Sequence, residues 1–150
     1  MSIDVRAAAP ADIDFIVQCN RAMAAETEDL GLDPGRLRQG IDYLMSHPSE
    51  GFYLVAHRDG TLVGTLMVTY EWSDWRNGRF WWIQSVYVVP AVRRSGVYRA
   101  MHEAVRRAAG ADAQACGIRL YVERDNTTAQ HTYANIGMVE THYRLYEEMF

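Results

Sequence analysis

The chain has 150 residues, 49% of them hydrophobic and 23% charged, with a formal net charge of -4. This composition is typical of one ordinary globular domain, which we expect to span residues 1–150. The negative balance disfavours nucleic acid as the main partner, and no apolar run is long enough to span a membrane. The first residues do not resemble a secretory signal, so we expect a cytoplasmic protein.

The first half of the chain predicts one strand, two helices and a hairpin. Residues 3–7 alternate as a half-buried strand does, and a helical pattern follows them. A turn near residue 34 separates this helix from a second one, which carries its apolar residues on one side. The pair Asp59-Gly60 predicts a tight turn between strands at residues 52–57 and 62–71.

The second half predicts further strands around a long helix. Residues 80–89 are rich in aromatic and β-branched side chains, and an apolar stripe from Val97 predicts a helix. Alternation at residues 118–122 predicts a strand parallel to the one at 80–89, with a right-handed crossover. A short helix capped by Asn126 and a last strand at residues 138–147 follow. We therefore expect an α+β domain with about four helices and a mixed sheet of about six to seven strands.

A basic, glycine-containing loop joins the strand at residues 80–89 to the long helix. Arg93, Arg94 and Arg99 surround Gly96 where the helix begins. Unpaired N–H groups at a helix start attract anions, and glycine lets a phosphate approach the backbone closely. The loop favours a phosphate-bearing ligand, and an ordinary solvated helix start is the alternative.

This loop resembles the acetyl-CoA signature of the GNAT superfamily of N-acetyltransferases. The family pattern is Q/R-x-x-G-x-G/A after a valine-rich strand, and Arg93 and Gly96 occupy its first and fourth positions. Tyr98 departs from the pattern at the sixth position, where the family has a small residue. The backbone N–H that binds the phosphate is available with either side chain.

A second segment also resembles the family. Asn126 is followed by Tyr133 seven residues later and then by Gly137-Met138, in the order that the family shows. The resemblance extends over residues 3–148. It implies a single-domain, GNAT-like fold in which two parallel strands splay apart.

The resemblance implies that the chain is an acyltransferase with acetyl-CoA as cosubstrate, acting by direct attack of an amine. Backbone groups at the strand end would pair with the pantetheine arm and place an N–H near the acetyl carbonyl, while the loop would hold the pyrophosphate. Tyr133 would be the general acid that protonates the leaving thiolate, and core packing is the alternative for this tyrosine. The implied cofactor-binding residues are Val86, Tyr87, Val88, Arg93, Arg94, Ser95, Gly96, Val97, Tyr98, Arg99 and Asn126.

The stretch at residues 68–75 is similar to the polyamine-type, spermidine/spermine acetyltransferase branch of the family. Gln84 stands where polyamine-type relatives carry an acid, and an amide cannot accept a proton from the amine. The general base stays open among Glu26, Glu28, Glu71, Asp74, Glu123 and His142. The candidate substrate-binding residues are Glu26, Glu28, Glu71, Trp72, Asp74 and Gln84, because acidic and aromatic groups attract ammonium ions.

The missing acid at Gln84 leaves a second function open, a noncatalytic acyl-CoA-binding sensor or interaction module on the same fold. The acceptor of the enzyme would be a small-molecule or protein amine. The histidines show no metal-ligand spacing, so we expect no metal. The many aromatic residues favour a homodimer. The adjacent Trp81 and Trp82 must point to opposite faces of their strand.

Overall fold

A computed structural model describes residues 2–150 of the chain. These residues form two compact units, one up to Leu120 and the other Tyr121–Phe150. The first unit contains a sheet and three helices, and the second contains one short helix. The elements of the first unit are β1 (Ile3–Ala7), α1 (Ile13–Glu28), α2 (Pro34–Met45), β2 (Gly51–Arg58), β3 (Thr61–Ser73), β4 (Gly78–Val88), α3 (Val97–Gly110) and β5 (Ala115–Arg119), and that of the second is α4 (Thr127–Asn135).

The sheet has the order β1-β2-β3-β4-β5. The first four strands are antiparallel neighbours, and β5 runs parallel to β4. This confirms the predicted hairpin of β2 and β3 and the predicted parallel pair on either side of α3. The sheet positions the end of β4 beside the start of α3, because these two elements are joined by a short loop.

The described sheet has five strands, so the prediction of about six to seven strands was wrong. The predicted strand at residues 138–147 is irregular, and all side chains from Val139 onward are exposed. Alternation makes a segment suited to a sheet, but its backbone N–H and C=O groups also need a partner strand. Within residues 2–150 this segment pairs with none.

Helices cover both faces of the sheet. On one face, Met101 and Val105 of α3 pack with Leu66, Val68 and Trp81. Gly64 lets the helix approach closely, because a Cβ there would lie 3.0 Å from Val97 Cγ1 and 3.2 Å from Met101 Cε.

The opposite face carries α1 and α2. Ile16 and Ile41 of these helices pack with Tyr53 and Val55 of β2. Trp82 lies on this second face, opposite Thr69, while its neighbour Trp81 lies in the α3 core. The predicted opposite orientation of the two tryptophans is therefore confirmed.

Candidate functional site

The end of β4 lies beyond its pairing with β5. The two strands pair from Arg79 with Ala115 to Trp82 with Arg119, and β4 then continues to Val88. β5 itself ends at Arg119, and the predicted splay of the parallel pair beyond this point stays a prediction. Because Val89 N–H donates to Val63 C=O at 2.9 Å and backbone groups alternate along a strand, the N–H and C=O of Val88 point away from β3.

A bulge bends β4 just before this end. Thr65 pairs with Tyr87 and Met67 pairs with Gln84, so Ser85 and Val86 together face one residue of β3. Ser85 has a φ of 52°, a left-handed conformation that serine rarely adopts. Bulges of this kind re-aim the residues that follow them and are common beside active sites. No sequence pattern indicated this bulge, because serine has no special preference for positive φ.

The loop after β4 opens onto the N-terminus of α3. Gly96 is the N-cap residue of the helix with a φ of 91°, and its C=O accepts the first helical hydrogen bond, from Ala100 N–H at 3.0 Å. Apart from its two neighbours in the chain, no described residue lies within 4 Å of the position that a Cβ of Gly96 would occupy. Ser95 Oγ donates to Val92 C=O and closes the loop, and Arg94 adopts a φ of 64°. Gly96 has no side chain to cap α3, so a helix start of this kind leaves its first N–H groups to other acceptors, as an anion site requires.

The side chain of Tyr98 turns along α3. Its hydroxyl lies 2.9 Å from Nδ1 of His102, one helical turn further on. His102 is fully buried, and its pKa is lowered by burial and by the positive charge of Arg106. This contact gives the large residue at the sixth position of the signature a partner within the helix.

A second contact set, the Glu26–Tyr87–Arg93 cluster, joins α1 to β4 and the loop. The Tyr87 hydroxyl donates to one oxygen of Glu26, and Arg93 Nη2 donates to the other at 2.9 Å. Arg93 Nε donates to Val88 C=O at 2.8 Å. Hydrogen bonds from Tyr87 and Arg93 lower the pKa of Glu26, and burial raises the pKa of Tyr87.

Two predicted acceptor residues share the sheet face that carries α1 and α2. Gln84 donates to Thr69 Oγ1 at 2.5 Å. Glu71 lies opposite Phe80 on the same face and accepts hydrogen bonds from Trp82 Nε1 at 3.2 Å and from Arg119 Nη1 at 2.8 Å. The sequence did not indicate Thr69 or Arg119, because only the strand register brings them to this face.

The other two predicted acceptor residues of this region lie elsewhere. Trp72 pairs with Arg79 and points to the opposite face from Glu71, because neighbouring residues in a strand alternate. Asp74 lies in the hairpin turn, where its C=O accepts from Asn77 N–H at 3.2 Å. The structure therefore does not bring them together with Glu71 and Gln84.

In the second unit, the Asn126 side chain accepts from Ala129 N–H at 3.1 Å and caps α4. Gly137 ends this segment with a φ of 99°, as the sequence predicts. Tyr133 is half-buried in α4, and burial raises its pKa. The phenol is protonated at neutral pH, as a proton donor requires, and the raised pKa means that it holds this proton more tightly than an exposed tyrosine does.

The model of the family described as Acetyltransferase (GNAT) family matches residues 18–138. The chain belongs to the GNAT acetyltransferase family. Members of this family transfer an acetyl group from acetyl-CoA to an amine. The predicted family and enzyme class are therefore confirmed, and no curated protein matches the sequence.

Solved structures support this placement of the acetyltransferase. It is similar to a possible acetyltransferase from Clostridium difficile 630, with 39% identity, a TM-score of 0.90 and coverage of 100% of this chain and 99% of that one. It shares the fold of a predicted acetyltransferase with acetyl-CoA from Clostridium acetobutylicum, at 16% identity, a TM-score of 0.79 and coverage of 98% and 96%. It also shares the fold of AAC(6')-Iy in complex with a CoA-S-monomethyl-acetylneamine bisubstrate analogue, at 16% identity, a TM-score of 0.77 and coverage of 100% and 99%.

Two further observations concern residues 2–150. None of the described helices is both long and apolar enough to cross a bilayer. No three His, Cys, Asp or Glu side chains among these residues are grouped so that they could hold a metal ion.

Proposed function

We propose that this acetyltransferase transfers the acetyl group of acetyl-CoA to a cationic primary amine by direct attack, with Tyr133 as general acid. The observation that carries the proposal is the juxtaposition of two features at one place. The end of β4 has backbone groups that β5 leaves unpaired, and the loop that follows it opens onto the N-terminus of α3 at Gly96. A strand edge and a helix start together suit a ligand with amide groups and a pyrophosphate.

The residues present fit acetyl-CoA. The N–H groups around Gly96 and Val97 would bind the pyrophosphate, and the exposed side chains of Arg94 and Arg99 add positive charge. Backbone groups of Val86–Val88 would pair with the pantetheine amides. The other predicted binding residues, Ser95, Tyr98 and Asn126, remain part of this proposal.

The chemistry requires three proton movements. An alkylammonium ion with a pKa of ~10.4 must lose a proton at pH 7, which costs about 4.6 kcal/mol. The amine nitrogen then attacks the acetyl carbonyl carbon, the C–S bond breaks as the thiolate leaves, and the nitrogen releases a second proton to solvent as the neutral amide forms. The Tyr133 hydroxyl would supply the proton that the sulfur takes up, while a backbone N–H at the end of β4 stabilises the oxyanion.

The proposed acceptor is cationic and of the polyamine type. Glu28 at the end of α1 and Glu71 on the sheet face are exposed carboxylates, and Gln84 lies on the same face as Glu71. The stretch at residues 68–75 supports the polyamine branch. Two structural neighbours are named for aminoglycoside substrates or analogues, which are also polycationic amines.

A thiol-release assay with acetyl-CoA and a panel of amines tests the proposal. The panel contains spermidine, an aminoglycoside, a lysine peptide and an acidic amino acid. We expect turnover with a cationic member and little with the acidic one. Tight acetyl-CoA binding without turnover on any amine would instead favour the acyl-CoA-binding sensor, and a best acceptor with net negative charge would contradict the cationic site.

We also propose that the whole chain is one acetyltransferase domain and that it forms a homodimer. Large apolar side chains are exposed in residues 139–150, among them Val139 at 86% and Tyr146 at 89%. A concentration of exposed apolar side chains in one segment favours a protein partner. Light scattering after gel filtration should give twice the 17.1 kDa chain mass. Cytoplasmic residence and the absence of nucleic-acid and membrane partners stay predictions.

A further inference from the structure

The guanidinium of Arg93 is engaged by protein acceptors. Its Nε donates a hydrogen bond to Val88 C=O, and its Nη2 donates one to the Glu26 carboxylate. The planar guanidinium of arginine can make both bonds at once, whereas a lysine ammonium cannot. Arg94 and Arg99 belong to the same loop and helix start, and no contact within residues 2–150 engages their guanidinium groups. The positive charge available to a phosphate therefore lies on Arg94 and Arg99.

The strand end that Arg93 holds is paired on one side only. Tyr87 pairs with Thr65 of β3 and Val89 N–H donates to Val63 C=O, whereas β5 stops pairing with β4 at Trp82. The bulge at Ser85 places a positive φ just ahead of Tyr87, and such a strained residue persists only where surrounding contacts fix it. The Glu26–Tyr87–Arg93 cluster supplies such contacts from α1 and from the loop after β4.

Tyr87 anchors the cluster from within the strand. Its side chain is only 8% exposed, and its hydroxyl reaches the same carboxylate as Arg93. The Arg93 Cζ lies 5.2 Å from the centre of the Tyr87 ring. The contacts thus close a ring through Glu26, Tyr87, Val88 and Arg93, so that removing either Glu26 or Arg93 opens it.

We propose that Glu26 and Arg93 are positioning residues that fix Tyr87 and Val88 at the end of β4, and that the Arg93 side chain does not bind the phosphates of acetyl-CoA. The inference rests on the proposed function, because the backbone at Val88 is where the thioester would be received. It replaces the amine-binding role that the sequence predicted for Glu26. It also couples the end of α1, on the acceptor side, to the acetyl-CoA loop.

The first test needs no ligand. Amide hydrogen exchange at Tyr87 and Val89, whose N–H groups face β3, should become about tenfold faster in Glu26→Gln and in Arg93→Gln, because the strand end opens more often. Arg38→Gln is the matched control, since it breaks another exposed ion pair of α1, with Asp14. Exchange that is unchanged in both cluster variants would overturn the positioning role whether or not the protein acetylates any amine.

The second test separates positioning from phosphate binding. Acetyl-CoA affinity is measured by calorimetry at low and high salt, since screening weakens direct charge contacts. Arg94→Gln should make the affinity less dependent on salt, whereas Arg93→Gln should keep the salt dependence of the wild type. A salt dependence reduced as much by Arg93→Gln as by Arg94→Gln would overturn the assignment. If the wild type does not bind acetyl-CoA, the proposed function is wrong, and the positioning role is then judged by the exchange test alone.

The third test uses steady-state kinetics with the best amine of the panel. Glu26→Gln and Arg93→Gln should each lower kcat about tenfold, because small displacements of catalytic groups slow the chemical step. The double variant should be no slower than the worse single variant, because both break one ring. Glu28→Gln, two residues further along α1, should instead raise the KM for the amine. If Glu26→Gln raises only that KM and keeps kcat, Glu26 binds the amine and the proposal fails.

Discussion

Gly96→Ala offers a direct test of the phosphate loop. The substitution strains the backbone and also places a Cβ where the pyrophosphate would approach, and a second glycine in the structure allows the two effects to be measured separately. Gly96 has a φ of 91° and Gly60, in the turn between β2 and β3, has a φ of 78°. Apart from the adjacent residues in the chain, no described residue lies within 4 Å of a Cβ built at either position. An alanine at either site therefore costs backbone strain alone, about 1–2 kcal/mol, less the entropy that the unfolded chain loses.

The two alanine variants should be alike in stability and differ in binding. A net loss of about 1 kcal/mol lowers the melting temperature of a chain of this size by about 2–4 °C. At Gly96 the added Cβ also occupies the approach of the pyrophosphate to the backbone. We expect the Kd for acetyl-CoA to rise at least about tenfold in Gly96→Ala, or about 1.4 kcal/mol, and to stay unchanged in Gly60→Ala.

Thermal unfolding and isothermal calorimetry measure these two quantities on the same samples. Gly96→Glu extends the series, because its carboxylate adds repulsion of the pyrophosphate and should nearly abolish binding. The reasoning is refuted if folded Gly96→Ala and Gly96→Glu both bind acetyl-CoA as the wild type does while their melting temperatures fall as in Gly60→Ala.

Three further predictions concern the chemistry and the buried histidine. Tyr133→Phe should lower kcat by about 10²–10⁴-fold with little change in acetyl-CoA affinity, while Tyr146→Phe should leave kcat unchanged. If a burst assay shows that chemistry is rate-limiting and kcat of Tyr133→Phe is still near normal, Tyr133 is a packing residue. Gln84→Glu should keep or raise activity and extend it to lower pH, because it adds a proton acceptor beside the amine; an unshifted pH profile would place residue 84 away from the amine. Burial lowers the pKa of His102 below its unfolded value near 6.5, so the unfolded chain binds more protons and stability should fall as pH drops through that value. Between pH 5 and 7, the free energy of unfolding should change less with pH in His102→Gln than in the wild type. An equal dependence on pH in the two proteins would contradict this assignment.

The features that depend on neighbouring residues in the chain could be predicted from the sequence. The apolar stripe from Val97 defined α3, and the glycine before it marked the helix start with positive φ. Asn126 capped α4 as expected, because a cap needs only a side chain and the next turn of helix. These local features also carry the two family motifs, which is why the family could be recognised.

Features that depend on partners far along the chain could not be predicted. Ser85 takes a positive φ because β3 and β4 have unequal numbers of residues between paired positions, which no local pattern reveals. Glu71 meets Trp82 and Arg119 only because the register of β3 with β4 and of β4 with β5 brings them together. The segment at 138–147 has the alternation of a strand but pairs with none within residues 2–150. In each case the missing information was the partner and not the propensity.

The acidic end of α1 shows how partners change an electrostatic prediction. The sequence places Glu26, Glu28, Asp29 and Asp33 close together and predicts one negative field. In the structure Arg93 neutralises Glu26, and Asp33 accepts hydrogen bonds from N–H groups as the N-cap residue of α2. Within residues 2–150, no described contact engages the side chains of Glu28 and Asp29. Because exposed charges attract weakly in water, two carboxylates favour an acceptor with several positive charges over a simple monoamine.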